Sequence, residues 1–266
     1  MSDTINTIAL GIIEGITEFL PISSTGHLLI AEHWMGERSE LFNVAIQAGA
    51  ILAIVLIYWN RIVGLLTGFN DPAKRDYLFK LIVCFVITGF GGFVAVNKLG
   101  FKLPEKVLPV AVAELSGGIL ILLIEAYIAK KPASATVTWN VAIWVGICQF
   151  LSGVFPGTSR SAATIFAAML AGLTLRPAAT EFAFLVGIPT MFAATGLLYV
   201  KARHAGGVPE DWNGIAIGFI VSGIVAFIVV KWLLRYVQSH RFTVFAWYRI
   251  ALGAALLAMI GAGVLS

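Results

Sequence analysis

The chain has 266 residues, of which 59% are hydrophobic and 12% charged, and its formal net charge is +4. Soluble domains carry about 25% charged residues, so this composition excludes a soluble protein and predicts an integral membrane protein. The basic residues are scattered through short loops without an aromatic-interleaved patch, which excludes a nucleic-acid-binding surface.

The first predicted element is an apolar segment, residues 4–34, that is interrupted at Pro21. It contains Glu14 and Glu18 and shows no small-residue cleavage pattern before the break, so we expect no signal peptide. A break inside the bilayer leaves backbone N–H groups that lipid cannot satisfy. Since the segment is long enough to enter the membrane, turn at Pro21 and return, it predicts a re-entrant hairpin.

The same order of elements then occurs twice along the chain. Three apolar spans of about 20 residues follow the first hairpin, and a second broken segment, 139–174, is followed by three more. The six predicted crossings are residues 41–59, 78–97, 107–129, 180–200, 213–234 and 244–265. The predicted fold class is an all-α polytopic membrane protein with six transmembrane helices plus two re-entrant helical hairpins.

The two broken segments are related in sequence. GIIEGITEFLPISSTGH at 11–27 aligns without a gap on GICQFLSGVFPGTSRSA at 146–162, which places Ser24 on Ser159. Because three crossings separate the copies, the second copy is upside down relative to the first. We therefore predict one membrane domain made of an inverted-topology repeat, about 1–130 and about 139–266. The two breaks are expected to meet near the midplane and form one site.

Loop charges set the expected orientation, because cytoplasmic loops are rich in Lys and Arg. One side carries Arg61, Lys74, Arg75, Lys80, Lys130, Lys131, Arg176, Lys231, Arg235 and Arg241, and the other carries Arg38, Lys98, Lys102, Lys106, Lys201 and Arg203. The first side is predicted to be cytoplasmic, so both termini and the mouth of the first hairpin face outwards. We expect a bacterial cytoplasmic membrane protein whose site opens to the periplasm.

Glu14 and Glu18 are one helical turn apart and project from one face of the first half-helix. Carboxylates inside a membrane segment are costly and usually functional. The pair can share a divalent cation, Mg²⁺ or Ca²⁺, or one of the two can act as a general base. The simpler alternative is that both face water at a helix end.

A polar run follows Pro21 directly: Ser23, Ser24, Thr25, Gly26 and His27. It can cap the returning helix and present hydroxyls together with free backbone N–H groups to an anion. If the turn is helical, His27 lies within reach of Ser24, which would make a base-activated serine. Ordinary N-capping and a structural histidine are the alternatives.

The second break supplies Gly157, Ser159, Arg160, Ser161 and, one turn further on, Thr164. An arginine at membrane depth must be paired, and its guanidinium matches phosphate or carboxylate with two parallel hydrogen bonds. The hydroxyls and the half-helix N-terminus around Arg160 predict an anion pocket. The alternative is a salt bridge to a carboxylate of the first break that only locks the halves together.

Other polar residues inside the predicted crossings give weaker signals. Asn43 and Gln47 share a helix face, where they line the cavity or bond neighbouring helices. Glu114 and Glu125 lie in the third crossing, with Glu125 near its cytoplasmic end.

The two motifs together closely resemble those of the undecaprenyl-diphosphate phosphatases, also called bacitracin-resistance proteins. That family carries an E/Q-x-x-x-E stretch leading into P-x-S-S-T-G-H, and a PG-x-SR-S-x-x-T stretch. The matching residues here are Glu14, Glu18, Pro21, Ser23 to His27, Pro156, Gly157, Ser159 to Ser161 and Thr164. The resemblance covers essentially the whole chain.

The resemblance implies hydrolysis of the terminal phosphate of undecaprenyl diphosphate, which regenerates the carrier lipid for peptidoglycan synthesis and confers bacitracin resistance. We expect a polyprenyl diphosphate substrate held by Ser23, Thr25, Gly26, Gly157, Ser159, Arg160, Ser161 and Thr164. Ser24 would attack the terminal phosphorus with His27 or Glu18 as base. A histidine nucleophile and a metal-bound water stay open as alternatives.

Transport is the rival class of function. Broken helices in an inverted repeat also hold anions at the midplane of transporters, so a carrier or a lipid flippase fits the same layout. The cluster of Glu14, Glu18, Ser24 and His27 favours chemistry, because a carrier needs no activated nucleophile. The sequence does not fix the oligomeric state, and a homodimer is one candidate assembly.

Overall fold

The computed structural model describes residues 2–97, 107–204 and 210–265. For residues 2, 96–97 and 202–204, at the ends of helices, it describes the backbone and not the side chain. Across these ranges the chain is all helical, with eleven α-helices and no strand. Six helices are long and apolar enough to cross a membrane, which confirms the six predicted crossings and a multi-pass membrane protein. The predicted topology residues Lys98, Lys102 and Lys106 lie outside the described residues, as does the side chain of Arg203.

The helices are α1 (Ser2–Thr17), α2 (Ser24–Met35), α3 (Glu40–Ile57), α4 (Trp59–Thr67), α5 (Pro72–Asn97), α6 (Val107–Ile128), α7 (Trp139–Val154), α8 (Arg160–Leu170), α9 (Arg176–His204), α10 (Trp212–Tyr236) and α11 (Thr243–Gly261). The candidate crossings are α3, α5, α6, α9, α10 and α11. The separate helix α4 was not predicted. It follows α3 after a single residue, and its polar Asn60 and Arg61 end the apolar pattern there.

Two crossings begin earlier than their hydropathy indicates. α5 begins at Pro72 and not at residue 78, and its first turns carry Lys74 and Arg75. Proline at the first helical position costs no hydrogen bond, because that N–H has no partner inside a helix. α9 likewise begins at the charged Arg176. Apolar windows therefore mark the membrane part of these helices and miss their polar extensions.

Both predicted breaks are present, and both end in the same kind of cap. α2 begins after Ser23 (φ 65°) and α8 after Ser159 (φ 66°), and each cap side chain accepts a hydrogen bond from the backbone N–H three residues on. The structural counterpart of Ser159 is thus Ser23. The gap-free alignment that placed Ser24 on Ser159 is wrong by one residue, because the second break has one more residue between its proline and its cap.

Residues of both breaks share one hydrophobic core. Phe19 and Ile22 of the first break pack in the same cluster as Ala162 and Ile165 of α8. Phe19 also meets Phe184 of α9 edge to face, with ring centroids 5.1 Å apart. α3, the most buried of the six crossings, packs against α9 and α10, and α6 packs along α11. This packing positions the two breaks side by side.

Candidate active site

Glu18 lies between the two breaks and accepts a hydrogen bond from each. The Ser24 hydroxyl donates to Glu18 Oε2 over 2.5 Å, and Arg160 Nη2 donates to Glu18 Oε1 over 2.8 Å. The Glu18 and Arg160 side chains are only 6% and 14% exposed, so water screens the ion pair little. The structure therefore brings Ser24 and Arg160 onto the two oxygens of one carboxylate.

Arg160 keeps donor capacity beyond its ion pair. The salt bridge to a first-break carboxylate exists, but the buried Nε has no hydrogen-bond partner among the described residues. Nη2 of the guanidinium bonds Glu18, and Nη1 packs against Gly187 of α9, where a Cβ would lie only 2.1 Å away. A glycine at 187 is needed for Arg160 to occupy this position. The geometry leaves Arg160 able to bind an anion while paired with Glu18.

Glu14 is fully buried, and neither of its carboxylate oxygens has a hydrogen-bond partner among the described residues. The helical turn continues from it to Glu18, whose N–H donates to the Glu14 carbonyl over 2.9 Å. An unpartnered buried carboxylate is costly, and a cation is a group that offsets this cost. The described residues contain no cluster of three His, Cys, Asp or Glu side chains. As an oxygen donor without a hydrogen-bond partner among the described residues, the Glu14 carboxylate fits the ligand type that divalent cations such as Mg²⁺ and Ca²⁺ prefer.

Both ring nitrogens of His27 form hydrogen bonds with groups other than the Ser24 hydroxyl. Its Nδ1 lies 2.7 Å from the Ser23 carbonyl and its Nε2 lies 2.5 Å from the Tyr248 hydroxyl, with the two rings stacked 5.6 Å apart. Since a carbonyl only accepts, Nδ1 carries the proton and Nε2 accepts from Tyr248. The predicted contact between His27 and Ser24 is not formed, and the base in contact with Ser24 is Glu18.

The hydroxyls of the second break bond mainly to main chain and to one another. Ser161 Oγ donates to the Leu20 carbonyl over 2.9 Å and lies 3.1 Å from Ser159 Oγ. Thr164 Oγ1 donates to the Arg160 carbonyl over 2.8 Å. The bond from Ser161 to Leu20 joins the two breaks, whereas the other two contacts lie within the second break and α8. Each of these hydroxyl oxygens still has acceptor or donor capacity towards a ligand.

The remaining predicted phosphate ligands differ in placement. Ser23 is a buried cap residue, whereas Thr25 is exposed. Gly26 lies close to Glu114, since a Cβ there would be 3.1 Å from Glu114 Oε1. Gly157 has φ 82°, a conformation that side chains rarely adopt, and it packs closely on α6. Gly26 therefore allows close packing next to Glu114, and Gly157 allows both the positive φ of the second break and close packing on α6.

Two residues of the site that were not among the sequence predictions come from α11. Tyr248 bonds His27, and Arg249 is fully buried against both breaks. An arginine within an apolar span was the signal for Arg249, because such a residue must be paired. Its partner Glu114, a weak candidate in the sequence, is fully buried at 2.9 Å. Tyr248 gave no signal, because aromatic residues are common in membrane helices.

The fold and the site define a class of protein: an integral membrane protein with a buried polar centre that holds a serine, two carboxylates and an arginine. Comparisons with known proteins narrow the class. The family model described as bacitracin resistance protein BacA matches residues 7–255. An undecaprenyl-diphosphatase of Rhizobium johnstonii is 58% identical over 265 residues, covering 99% of this chain and 100% of the relative.

A second relative comes from another genus. An undecaprenyl-diphosphatase of Xanthomonas euvesicatoria pv. vesicatoria is 55% identical over 258 residues, covering 97% of each chain. The protein therefore belongs to the bacitracin resistance protein BacA family, as its two motifs indicated.

Proposed function

We propose that this protein is an undecaprenyl-diphosphatase, a membrane hydrolase that releases the terminal phosphate of undecaprenyl diphosphate and recycles the lipid carrier. The observation that carries the proposal is the joint placement of Ser24 and Arg160 on Glu18. This placement brings a nucleophile (Ser24) and a positively charged group (Arg160) within hydrogen-bonding distance of one base (Glu18). The names of the full-length relatives support the substrate.

Ser24 Oγ attacks the terminal phosphorus while Glu18 takes its proton. The anhydride P–O bond breaks, and its electron pair stays on the oxygen of undecaprenyl phosphate, the leaving group. Glu18 then releases this proton to the solvent and is a carboxylate again. Water attacks the phosphoserine, Glu18 takes a proton from that water, the P–Oγ bond breaks, and Glu18 returns the proton to Ser24 Oγ as phosphate leaves. Arg160 stabilises the negative charge that spreads over the phosphoryl oxygens.

Glu18 is the proposed base because it is the acceptor of the Ser24 hydroxyl proton. His27, whose Nε2 already accepts from Tyr248, is not aligned with Ser24. We assign His27 to positioning the first break through the Ser23 carbonyl and Tyr248.

Glu14 and Glu18 would hold a divalent cation, Mg²⁺ or Ca²⁺. The support is the unpartnered, fully buried Glu14 carboxylate one turn before Glu18. When bound, such an ion neutralises phosphate charge and polarises the phosphoryl oxygens. Glu14 would serve as a ligand of this ion next to the proposed phosphate site.

The prenyl chain needs apolar neighbours next to the phosphate site. α9, whose Gly187 contacts Arg160, also lines an apolar hollow of about 300 Å³ with its next residues, Ile188 and Pro189. A second hollow of about 330 Å³ lies further along the same helix, against Phe192 and Gly196. Burial of a hydrocarbon chain against such side chains contributes about 0.8 kcal/mol per CH₂.

We further propose that the two helix–break–helix units are re-entrant hairpins of an inverted repeat, within one membrane domain. Their matched caps support this. The packing is mirrored as well: α1 packs on α10, while its counterpart α7 packs on α5, the counterpart of α10. The loop charges support a bacterial cytoplasmic membrane location with the site opening to the periplasm. A homodimer stays a prediction.

The proposal is tested by measuring phosphate release from undecaprenyl diphosphate by the purified protein in detergent. We expect release by the wild type and none above background by Ser24→Ala, with Ser239→Ala, an exposed serine remote from the site, as matched control. Absence of release by the wild type, together with movement of the lipid across vesicle membranes, would favour the carrier alternative.

A further inference from the structure

Arg249 of α11 donates hydrogen bonds to the main chain of both breaks. Its Nη1 reaches the carbonyls of Pro21 at 3.4 Å and Thr158 at 3.3 Å, and its Nη2 reaches that of Gly157 at 2.9 Å. A further bond joins Nη2 to the Ala113 carbonyl of α6 over 2.9 Å. One guanidinium thus binds two stretches of chain that are far apart in sequence.

Glu114 of α6 holds this guanidinium from the other side. Arg249 Nε lies 2.9 Å from Glu114 Oε2, and both side chains have no exposed surface. Glu114 Oε1 in turn lies where a Cβ on Gly26 would be 3.1 Å away, beside the cap of α2. The ion pair therefore lies next to the first turn of α2, the helix that begins with Ser24.

Helices α6 and α11 pack tightly around the Arg249 guanidinium. A Cβ on Gly117 of α6 would lie 2.4 Å from Arg249 Nη2. A Cβ on Gly253 of α11 would lie 2.6 Å from the backbone nitrogen of Leu115, so α6 and α11 are in close contact. The guanidinium consequently has a single well-packed position.

We propose that Arg249, held by Glu114, is a positioning residue for the hydrolysis. By fixing the main chains of the two breaks relative to each other, it keeps Ser24 and Arg160 on the two oxygens of Glu18. A lysine cannot replace it fully, because an ammonium lacks the planar fork that reaches several carbonyls at once. This inference rests on the proposed function.

The decisive variants are Arg249→Met and the double variant Arg249→Met/Glu114→Gln. The single variant leaves a buried carboxylate without its partner and should lower both the unfolding temperature and kcat. The double variant removes both charges, so it should recover the part of the thermal stability that the unpaired carboxylate cost. If Arg249 positions the breaks, kcat of the double variant stays about 100-fold below wild type, since small misplacements of reacting groups cost that much.

Recovery of kcat together with stability in the double variant would overturn the inference, because charge balance alone would then explain the single variant. A matched control is Arg176→Met/Glu125→Gln. That arginine and carboxylate also join helices, but they contact neither break. We expect kcat of this control to stay within about threefold of wild type, the small effect usual away from the reacting groups.

Gly117→Ala provides a test that keeps every charge. The added methyl group displaces the guanidinium and should lower kcat, whereas Gly92→Ala, with open space around its Cβ position, should leave kcat unchanged. Equal kcat in both alanine variants would contradict the positioning role. Lack of phosphate release by the wild type would instead contradict the proposed function, so the two failures are distinguishable.

Discussion

Ser24 donates a 2.5 Å hydrogen bond to Glu18, six residues earlier in the chain and on the other side of the Pro21 break. The Glu18 side chain is almost fully buried, and Arg160 holds its second oxygen. A carboxylate fixed in this way is aligned to accept the serine proton without reorganising. The break between α1 and α2 thus places the proposed nucleophile, Ser24, on its proposed base, Glu18.

Glu18→Gln should lower kcat for phosphate release by about 10²–10⁴-fold, the usual contribution of a general base. His27→Gln should lower it much less, because His27 bonds Tyr248 and the Ser23 carbonyl and not Ser24. Steady-state rates of both variants at saturating lipid give the comparison. An equal loss in the two variants would contradict the assignment of Glu18 as base.

Gly187→Ala should weaken the site without removing any functional group. The new methyl group would lie 2.1 Å from Arg160 Nη1, so the guanidinium must shift from the position in which its Nη2 bonds Glu18. We expect kcat/KM to fall by about 10²-fold. Gly196→Ala, on the same helix with open space around it, is the matched control. Similar activity of the two variants would show that Arg160 tolerates displacement.

The positive φ of the α8 cap residue, Ser159, predicts how its substitutions change the free energy of unfolding. Ser159 has φ 66°, a conformation that glycine adopts without strain, so Ser159→Gly should be more stable than Ser159→Ala. At Thr138, the cap of α7 with φ −91°, the same pair of substitutions involves no strain. The gap between glycine and alanine variants should therefore be wider at Ser159, by about 1 kcal/mol. Unfolding in detergent measures both gaps, and equal gaps would argue against strain.

The unpartnered Glu14 carboxylate predicts dependence on divalent ions. A chelator should abolish phosphate release, and added Mg²⁺ or Ca²⁺ should restore it. Glu14→Gln should raise the ion concentration needed for half-maximal activity at least about tenfold. Glu32→Gln, a change at another buried carboxylate, on α2, should not. Full activity in the presence of chelator would rule out the ion.

The apolar spans and the two prolines were sufficient to predict the six crossings, both breaks and the meeting of Ser24 with Arg160. Hydropathy and interruption are local signals, and an arginine at membrane depth must find a carboxylate. The equivalence of Ser23 with Ser159 was not predictable from the alignment. It depends on the backbone conformation of each cap, which letter-by-letter matching does not represent.

Tyr248 and Arg249 were missed for a different reason. They reach the site because α11 packs along α6, a contact between distant parts of the chain that periodicity does not specify. The pairing of His27 with Tyr248 follows from that packing, and it changes the expected role of the histidine. Local patterns thus indicated candidate site residues, and helix packing determined which of them touch.

Trapping the phosphorylated intermediate tests the central claim most directly. Wild-type protein mixed with undecaprenyl diphosphate labelled in its terminal phosphate, and quenched in acid within one turnover, should carry the label on Ser24. Ser24→Ala should carry none. A label on His27, or an unlabelled wild type that releases phosphate at its full rate, would contradict attack by Ser24 with Glu18 as base.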